Sequence, residues 1–211
     1  MTSPEIKGLT DIEARTLLTS ELNTLRGVAI QSYARLEQSL CGIFGHLAGV
    51  TDQIAGIIFF KMVNARSRIA VMERLKRLKL GDAHNLFFNS IMSEAGRLDG
   101  VRNHVVHWHT IQTVNATDEG GTWTVFLSPP NFWDFDDNSP TMTFDDLREF
   151  DARCDLYSRA LNLLRGYWLH PKRETTWRDI FEQPLRYPLP EGHPLTRLPT
   201  APPTQPESSA E

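Results

Sequence analysis

From Leu17 to Leu47 the apolar residues Leu17, Leu18, Leu22, Leu25, Ile30, Ala34, Leu36, Leu40, Phe44 and Leu47 recur mainly at spacings of three and four. That period belongs to one face of an α-helix and is incompatible with the two-residue alternation of a strand. Residues 11–48 therefore read as helical, with Gly27 marking a kink or a break near the middle. A stripe of this length has to be covered by other helices, so the expected architecture is an all-α bundle.

The rest of the chain supplies the partners. Thr51 or Asp52 is placed to cap a second helix running through Ile54, Ile57, Ile58 and Met62. A third, over about 65–80, sets Ile69, Met72, Leu75 and Leu78 on one stripe and basic residues on the other, and Gly81 is a natural stop. A fourth covers about 83–98, after which Asp99-Gly100 reads as a turn and a fresh helical start. The segments 110–115 and 122–127 alternate and are rich in Thr, Val and Trp, with Asp118-Glu119-Gly120-Gly121 between them, which predicts a β-hairpin. Pro129-Pro130 and the acidic aromatic stretch to Asn138 read as a loop. Thr143-Phe144-Asp145-Asp146 then opens a last long helix through Leu147, Phe150, Cys154, Tyr157, Leu161 and Leu164.

Composition bounds this layout. With 211 residues, the chain supports one hydrophobic core plus appendages. Eight of its 13 prolines fall in the last 28 residues, where a packed domain is not expected. The division is thus an N-terminal helical extension over 1–22, a helical domain over 23–170 and a proline-rich, largely disordered tail over 171–211, with Trp177, Ile180 and Phe181 able to dock on the body. No apolar run approaches the roughly 18 residues of a membrane span, and the N-terminus lacks the features of a secretory signal, so a cytoplasmic protein is expected. Cys41 and Cys154 match neither a zinc spacing nor a redox pair and read as buried thiols.

The net charge of -4 hides a strong asymmetry. Between Lys61 and Lys79 seven basic residues face one acid, and between Asp134 and Asp151 seven acids face one arginine, giving local balances of +6 and -6. A cationic helix of this kind suits a phosphate backbone, and Arg66, Arg68, Arg74, Lys76 and Arg77 are its candidate RNA contacts.

The chemically densest stretch is Val101-Arg102-Asn103-His104-Val105-Val106-His107-Trp108-His109. On a helix Val101, Val105 and Trp108 form the buried stripe, while Asn103, His104 and His107 share another face. Arg102 lies about 140° from His107 at 100° per residue, so its length or a second chain has to bring the two together. A histidine can move a proton near neutral pH, an arginine can hold a phosphate through paired hydrogen bonds, and an amide can orient either. That is sufficient equipment for cleaving RNA without a metal, the ribose 2′-hydroxyl acting as nucleophile. The three histidines also raise a metal site, but no Cys, Asp or Glu stands at a neighbouring ligand spacing, and no metal or cofactor is expected.

Arg102-Asn103-x-x-x-His107, late in a set of helices, resembles the R-x(4–6)-H signature of HEPN domains, in which the residue after the arginine is commonly polar. The resemblance covers roughly residues 23–168. The bare pattern recurs at Arg77–His84, Arg97–His104, Arg102–His109 and Arg165–His170, and the polar Asn103 and helical context single out Arg102 and His107. The resemblance implies a homodimer whose arginines and histidines line one cleft, and a metal-independent endoribonuclease of a toxin–antitoxin, phage-defence or RNA-processing system, with an antitoxin or neighbouring protein as a further partner. Arg102 would clamp the scissile phosphate, His107 act as general acid and base, and Asn103 orient, with Glu37 and His104 in support. The alternative is a catalytically silent dimerisation or nucleotide-binding module of the same fold.

Overall fold

The computed structural model describes residues 10–117, 120–130, 139–170 and 177–197. It is mostly helical with one two-stranded antiparallel sheet, and its core sits where α1 (Asp11–Ala48) lies along α5 (Phe144–Leu169).

Both long helices begin at capping boxes. Thr10 accepts from the Glu13 amide while its own backbone N–H donates to the Glu13 carboxylate at 2.9 Å, and Thr143 and Asp146 repeat the arrangement at α5. Gly27 does not break α1, because it keeps ordinary helical backbone and its neighbourhood is open. Ala14, Leu18 and Leu22 are buried in the common core, so the expected separate extension over residues 1–22 is corrected: from residue 11 onward it is the first part of the central helix. Between α1 and α5 runs a polar ladder. Ser39 and Ser158 share a hydrogen bond of 2.7 Å, Asn162 donates to Ser39, Arg35 donates to Ser32, and Ser32 donates to Asp151. Buried hydroxyls have to be paired, so this ladder permits one register between the helices.

Thr51 caps α2 (Asp52–Phe59), which ends before Met62 and buries only Ala55 and Phe59; Ile54, Ile57 and Ile58 face outward. The close approach to α1 depends on Gly45, where an added Cβ would stand 2.9 Å from the Cβ of Ala55. In α3 (Ala65–Leu80) the buried face centres on Met72, whereas Leu78 is 85% exposed. Leu78 stands about 180° from Ile69 on a helix of 3.6 residues per turn, so it never belonged to one stripe with it.

The fourth helix departs furthest from expectation. α4 spans Asn85–His107 without interruption, so Asp99-Gly100 is neither a turn nor a start. Tyr33 Oη donates to Asp99 Oδ1 at 2.8 Å, and Leu98 and Val105 continue the buried stripe on either side. Burial, reinforced by that carboxylate, pushes the Tyr33 phenol above its ordinary pKa and keeps it a donor.

β1 (His109–Thr117) and β2 (Gly120–Ser128) pair from His109 opposite Ser128 to Thr117 opposite Gly120. The hairpin is longer than predicted. Val125 and Leu127 enter the core, and Leu127 pairs with Met142 through hydrogen bonds of 2.9 Å in both directions, leading the chain straight into α5. All six apolar residues anticipated for the buried stripe of α5 are buried.

Beyond α5, α6 (Arg178–Phe181) and a 3₁₀ turn at Pro194–Arg197 belong to the body: Phe181, Leu185 and Leu195 are fully or almost fully buried. The expectation of a largely disordered tail is therefore corrected for residues 177–197. Proline removes backbone donors but does not prevent scattered apolar side chains from docking on a surface already formed. Residues 171–176 and 198–211 lie outside the described residues.

Three histidines are held below their ordinary pKa chiefly by burial: His46 stacked on Trp168, His84 edge-on to Tyr167 and Phe181, and His193. Glu182 opposes the effect at His84 without cancelling it. A depressed imidazole pKa means that the unfolded chain binds the proton first as pH falls below about 6.5. Stability should thus be full above that pH and decline steadily towards pH 5, as read by urea midpoints, and His84→Gln should flatten part of the slope. A midpoint constant between pH 7 and 5 would contradict this.

Candidate functional site

The motif closes a helix. His107 is the last residue of α4, and the chain turns at Trp108 into the hairpin. Asn103 and His107 are both exposed and one helical turn apart, and Arg102, half-buried, donates from Nη1 to Asn103 Oδ1 at 3.3 Å. No hydrogen bond joins Arg102 to His107, and among the described residues Arg102 has no acidic partner. Its guanidinium thus keeps most of its donors for a ligand. His104 turns aside and stacks on Trp108, ring centroids 4.5 Å apart.

What holds this last turn is Arg26 of α1, which the sequence reading missed. Its Nε donates to the carbonyl of Val105 and its Nη2 to that of Val106, each at 2.6 Å. Carbonyls at a helix C-terminus lack intrahelical partners, and a guanidinium fork satisfies two of them while complementing the negative end of the helix. Nothing local to Arg26 signals this, since its partners lie 79 and 80 residues away. Arg26→Ala should cost about 1.5–3 kcal/mol, the range for hydrogen bonds to charged groups. It should also speed amide exchange at Trp108, whose N–H closes the final turn onto His104. Unchanged exchange at that amide would show that the clamp is not needed.

Glu37 does not meet Arg102. It forms a short ion pair with Arg68, whose guanidinium lies over the rings of Phe59 and Phe60 at 5.0 and 5.7 Å. The assignment of Glu37 as a support for Arg102, and of Arg68 as an RNA contact, is corrected: both are committed to fastening α3 to α1 and α2. Lys76 is corrected likewise. It is only 2% exposed, donates to the Gly81 carbonyl at 3.0 Å and to the Asn85 side chain, and its pKa is lowered chiefly by burial. Arg68 and Lys76 stand four residues either side of Met72, the buried centre of α3, so the helical period itself carried the signal. Arg66, Arg74 and Arg77 remain exposed as expected.

Beside the motif, a pocket of about 330 Å³ opens between the C-terminal half of α4 and the start of α5. Arg97 and His104, seven residues apart and so two turns along one face, both line it. Two of its lining residues share a carboxylate: Glu94 binds Arg97 through two hydrogen bonds and Arg153 through one of 2.8 Å. Burial alone would raise the Glu94 carboxyl, but these bonds outweigh it and hold it below the usual carboxylate range. Trp123 has its indole N–H buried and Arg15 over its ring.

Burial pushes the Cys154 thiol up to about 12 and also raises Cys41, so neither is poised as a nucleophile. Among the described residues no cluster of His, Cys, Asp and Glu is arranged to hold a metal ion, and no helix is long and apolar enough to cross a membrane on its own. Comparison with protein-family models, curated proteins and solved structures gives no match.

Proposed function

We propose that the protein is a HEPN-like, metal-independent endoribonuclease that acts in the cytoplasm as a homodimer. The observation that carries this reading is the end of α4, which presents exposed Asn103 and His107 on a last turn held by Arg26, and beside them Arg102, bonded to Asn103 and free of any acidic partner among the described residues. In this scheme Arg102 binds the scissile phosphate and stabilises the added charge of the pentavalent transition state. His107 of one chain takes the proton from the ribose 2′-hydroxyl, whose oxygen attacks phosphorus. The bond to the 5′-oxygen breaks, that oxygen receives a proton from the second copy's His107, which enters the step as imidazolium and leaves it as neutral imidazole, and a 2′,3′-cyclic phosphate remains. Pairing also answers the separation of Arg102 and His107 around one helix, because two copies can contribute the two groups to one cleft. Exposed Arg66, Arg74 and Arg77 provide a cationic surface for the backbone. A toxin, defence or RNA-processing role, with an antitoxin or neighbouring protein, accords with this activity.

The test is incubation of the purified full chain with total RNA in EDTA, followed by analysis of fragment ends. Fragments ending in 2′,3′-cyclic phosphate and 5′-hydroxyl groups are expected. RNA left intact at every protein concentration, or cut to leave 3′-hydroxyl ends, would overturn the proposal.

A further inference from the structure

We propose that the pocket between α4 and α5 is a base-recognition site selecting guanine in the nucleotide that flanks the scissile phosphate; this rests on the ribonuclease reading for its place in catalysis, though not for the pocket's own binding. The floor is apolar, made by Leu98, Val101, Met142 and Phe150. One wall is the stacked pair His104 and Trp108, with an interplanar angle of 17°. A nucleobase laid against that wall extends an existing stack, an interaction open to every base. The last two turns of α4 and the Trp108 that follows them serve both places, since Val101, His104 and Trp108 line the pocket while Arg102, Asn103 and His107 occupy the intervening positions.

Selectivity comes from the opposite side. Asp146 and Glu149 line the pocket from the first turns of α5. Each has one carboxylate oxygen engaged: Asp146 Oδ2 accepts from the Thr143 backbone N–H and hydroxyl at 2.7 Å, and Glu149 Oε1 accepts from Arg153. Among the described residues the second oxygen of each has no hydrogen-bond donor. An ionised carboxylate only accepts, so this side of the pocket, lined by Asp146 and Glu149, asks for a base edge made of donors. Guanine offers two adjacent ones, the ring N1–H and the exocyclic amino group. Adenine and cytosine place a ring acceptor beside their amino group, and the single ring N–H of uracil lies between two carbonyls; a carboxylate repels these acceptors. Glu149 is 51% exposed and Arg153 keeps its bond to Glu94 without it, so its carboxylate can be altered without opening the core.

The experiment is calorimetric titration of the full-length protein with GMP, AMP, CMP and UMP, requiring no cleavage. GMP should bind at least about tenfold more tightly than the other three, in line with the discrimination of paired hydrogen bonds to a base edge. Glu149→Gln should abolish that preference, and Trp108→Leu, which keeps apolar volume but removes the ring, should weaken all four by roughly fivefold or more. Equal affinities for the four nucleotides, no binding of any, or a guanine preference untouched by Glu149→Gln would overturn the proposal, and the last comparison decides even if Trp108→Leu fails to fold. A guanine preference without any RNA cleavage would instead overturn the ribonuclease reading and leave the pocket standing. RNA cleavage with equal mononucleotide affinities would do the reverse.

Discussion

His107→Ala should lower the rate of RNA cleavage by roughly 10²–10⁴-fold, the range expected when general acid–base catalysis is removed. The folded structure should hardly notice the change. His107 is exposed at the terminal residue of α4, its side chain supports no part of the core, and the carbonyls of the same turn are held by Arg26 from another helix. Surface replacements of this type usually alter stability by no more than about 0.5 kcal/mol. Activity and unfolding midpoint should therefore separate cleanly: single-turnover cleavage collapses while the urea midpoint stays in place. His104→Ala supplies the contrast. His104 is engaged in a stack with Trp108 and lines the neighbouring pocket, so its loss should weaken substrate binding and spare the chemical step. A His107→Ala protein that cleaves RNA at the original rate would remove this histidine from the mechanism.

Phe181→Ala carries the largest expected cost in stability, about 3–5 kcal/mol, the usual range for truncating a fully buried aromatic side chain. The ring is completely enclosed and meets Phe87, Tyr167 and His84 at centroid distances of 5.0, 5.2 and 6.0 Å. These contacts bind the segment after α5 to the start of α4. The substitution should lower the urea midpoint and, at concentrations well below it, expose the chain around residue 181 to limited proteolysis. A loss under about 1 kcal/mol would mean that residues 177–197 contribute little to the folded body. Ser90 adds a polar tie in the same region, accepting from the Leu185 amide at 2.9 Å.

What could be read from the residues alone followed from periodicity, and its failures have physical causes. The buried stripe of α5 was legible because its six apolar residues keep helical spacing and Thr143 marks the start. The hairpin was legible from alternation, though not its full length. The continuity of α4 was not, because Asp99-Gly100 favours a turn locally and is overruled by Tyr33, 66 residues away. The tail was legible only at Phe181, whose docking the apolar cluster Trp177, Ile180 and Phe181 announced; Leu185 and Leu195 follow no regular period, and only the formed surface gives them a place.

At the candidate site the residue types were legible and their surroundings were not. Reading the third helix as a uniformly cationic face overlooked that Arg68 and Lys76 share the face of Met72. A long basic side chain can line an interior face when a carboxylate or carbonyl receives its head, as Glu37 and Gly81 do here. The pocket beside the motif required a second element, since its acidic side comes from α5, more than 40 residues after Val101. The seven-residue step from Arg97 to His104 was visible in the sequence, but nothing in it said which face would be concave.

The paired backbone bonds between Leu127 and Met142 join two ends of the molecule's operation. Met142 is at once an isolated bridge to the edge of the hairpin, part of the pocket floor and the residue that precedes the cap of α5. A displacement of this floor cannot be absorbed locally, because hydrogen-bonded ladders hold their register or part altogether. Occupancy of the pocket should consequently be audible at a distance: the amides of Leu127 and Met142 would slow together in hydrogen exchange when the site is filled, making the hairpin a reporter built into the chain.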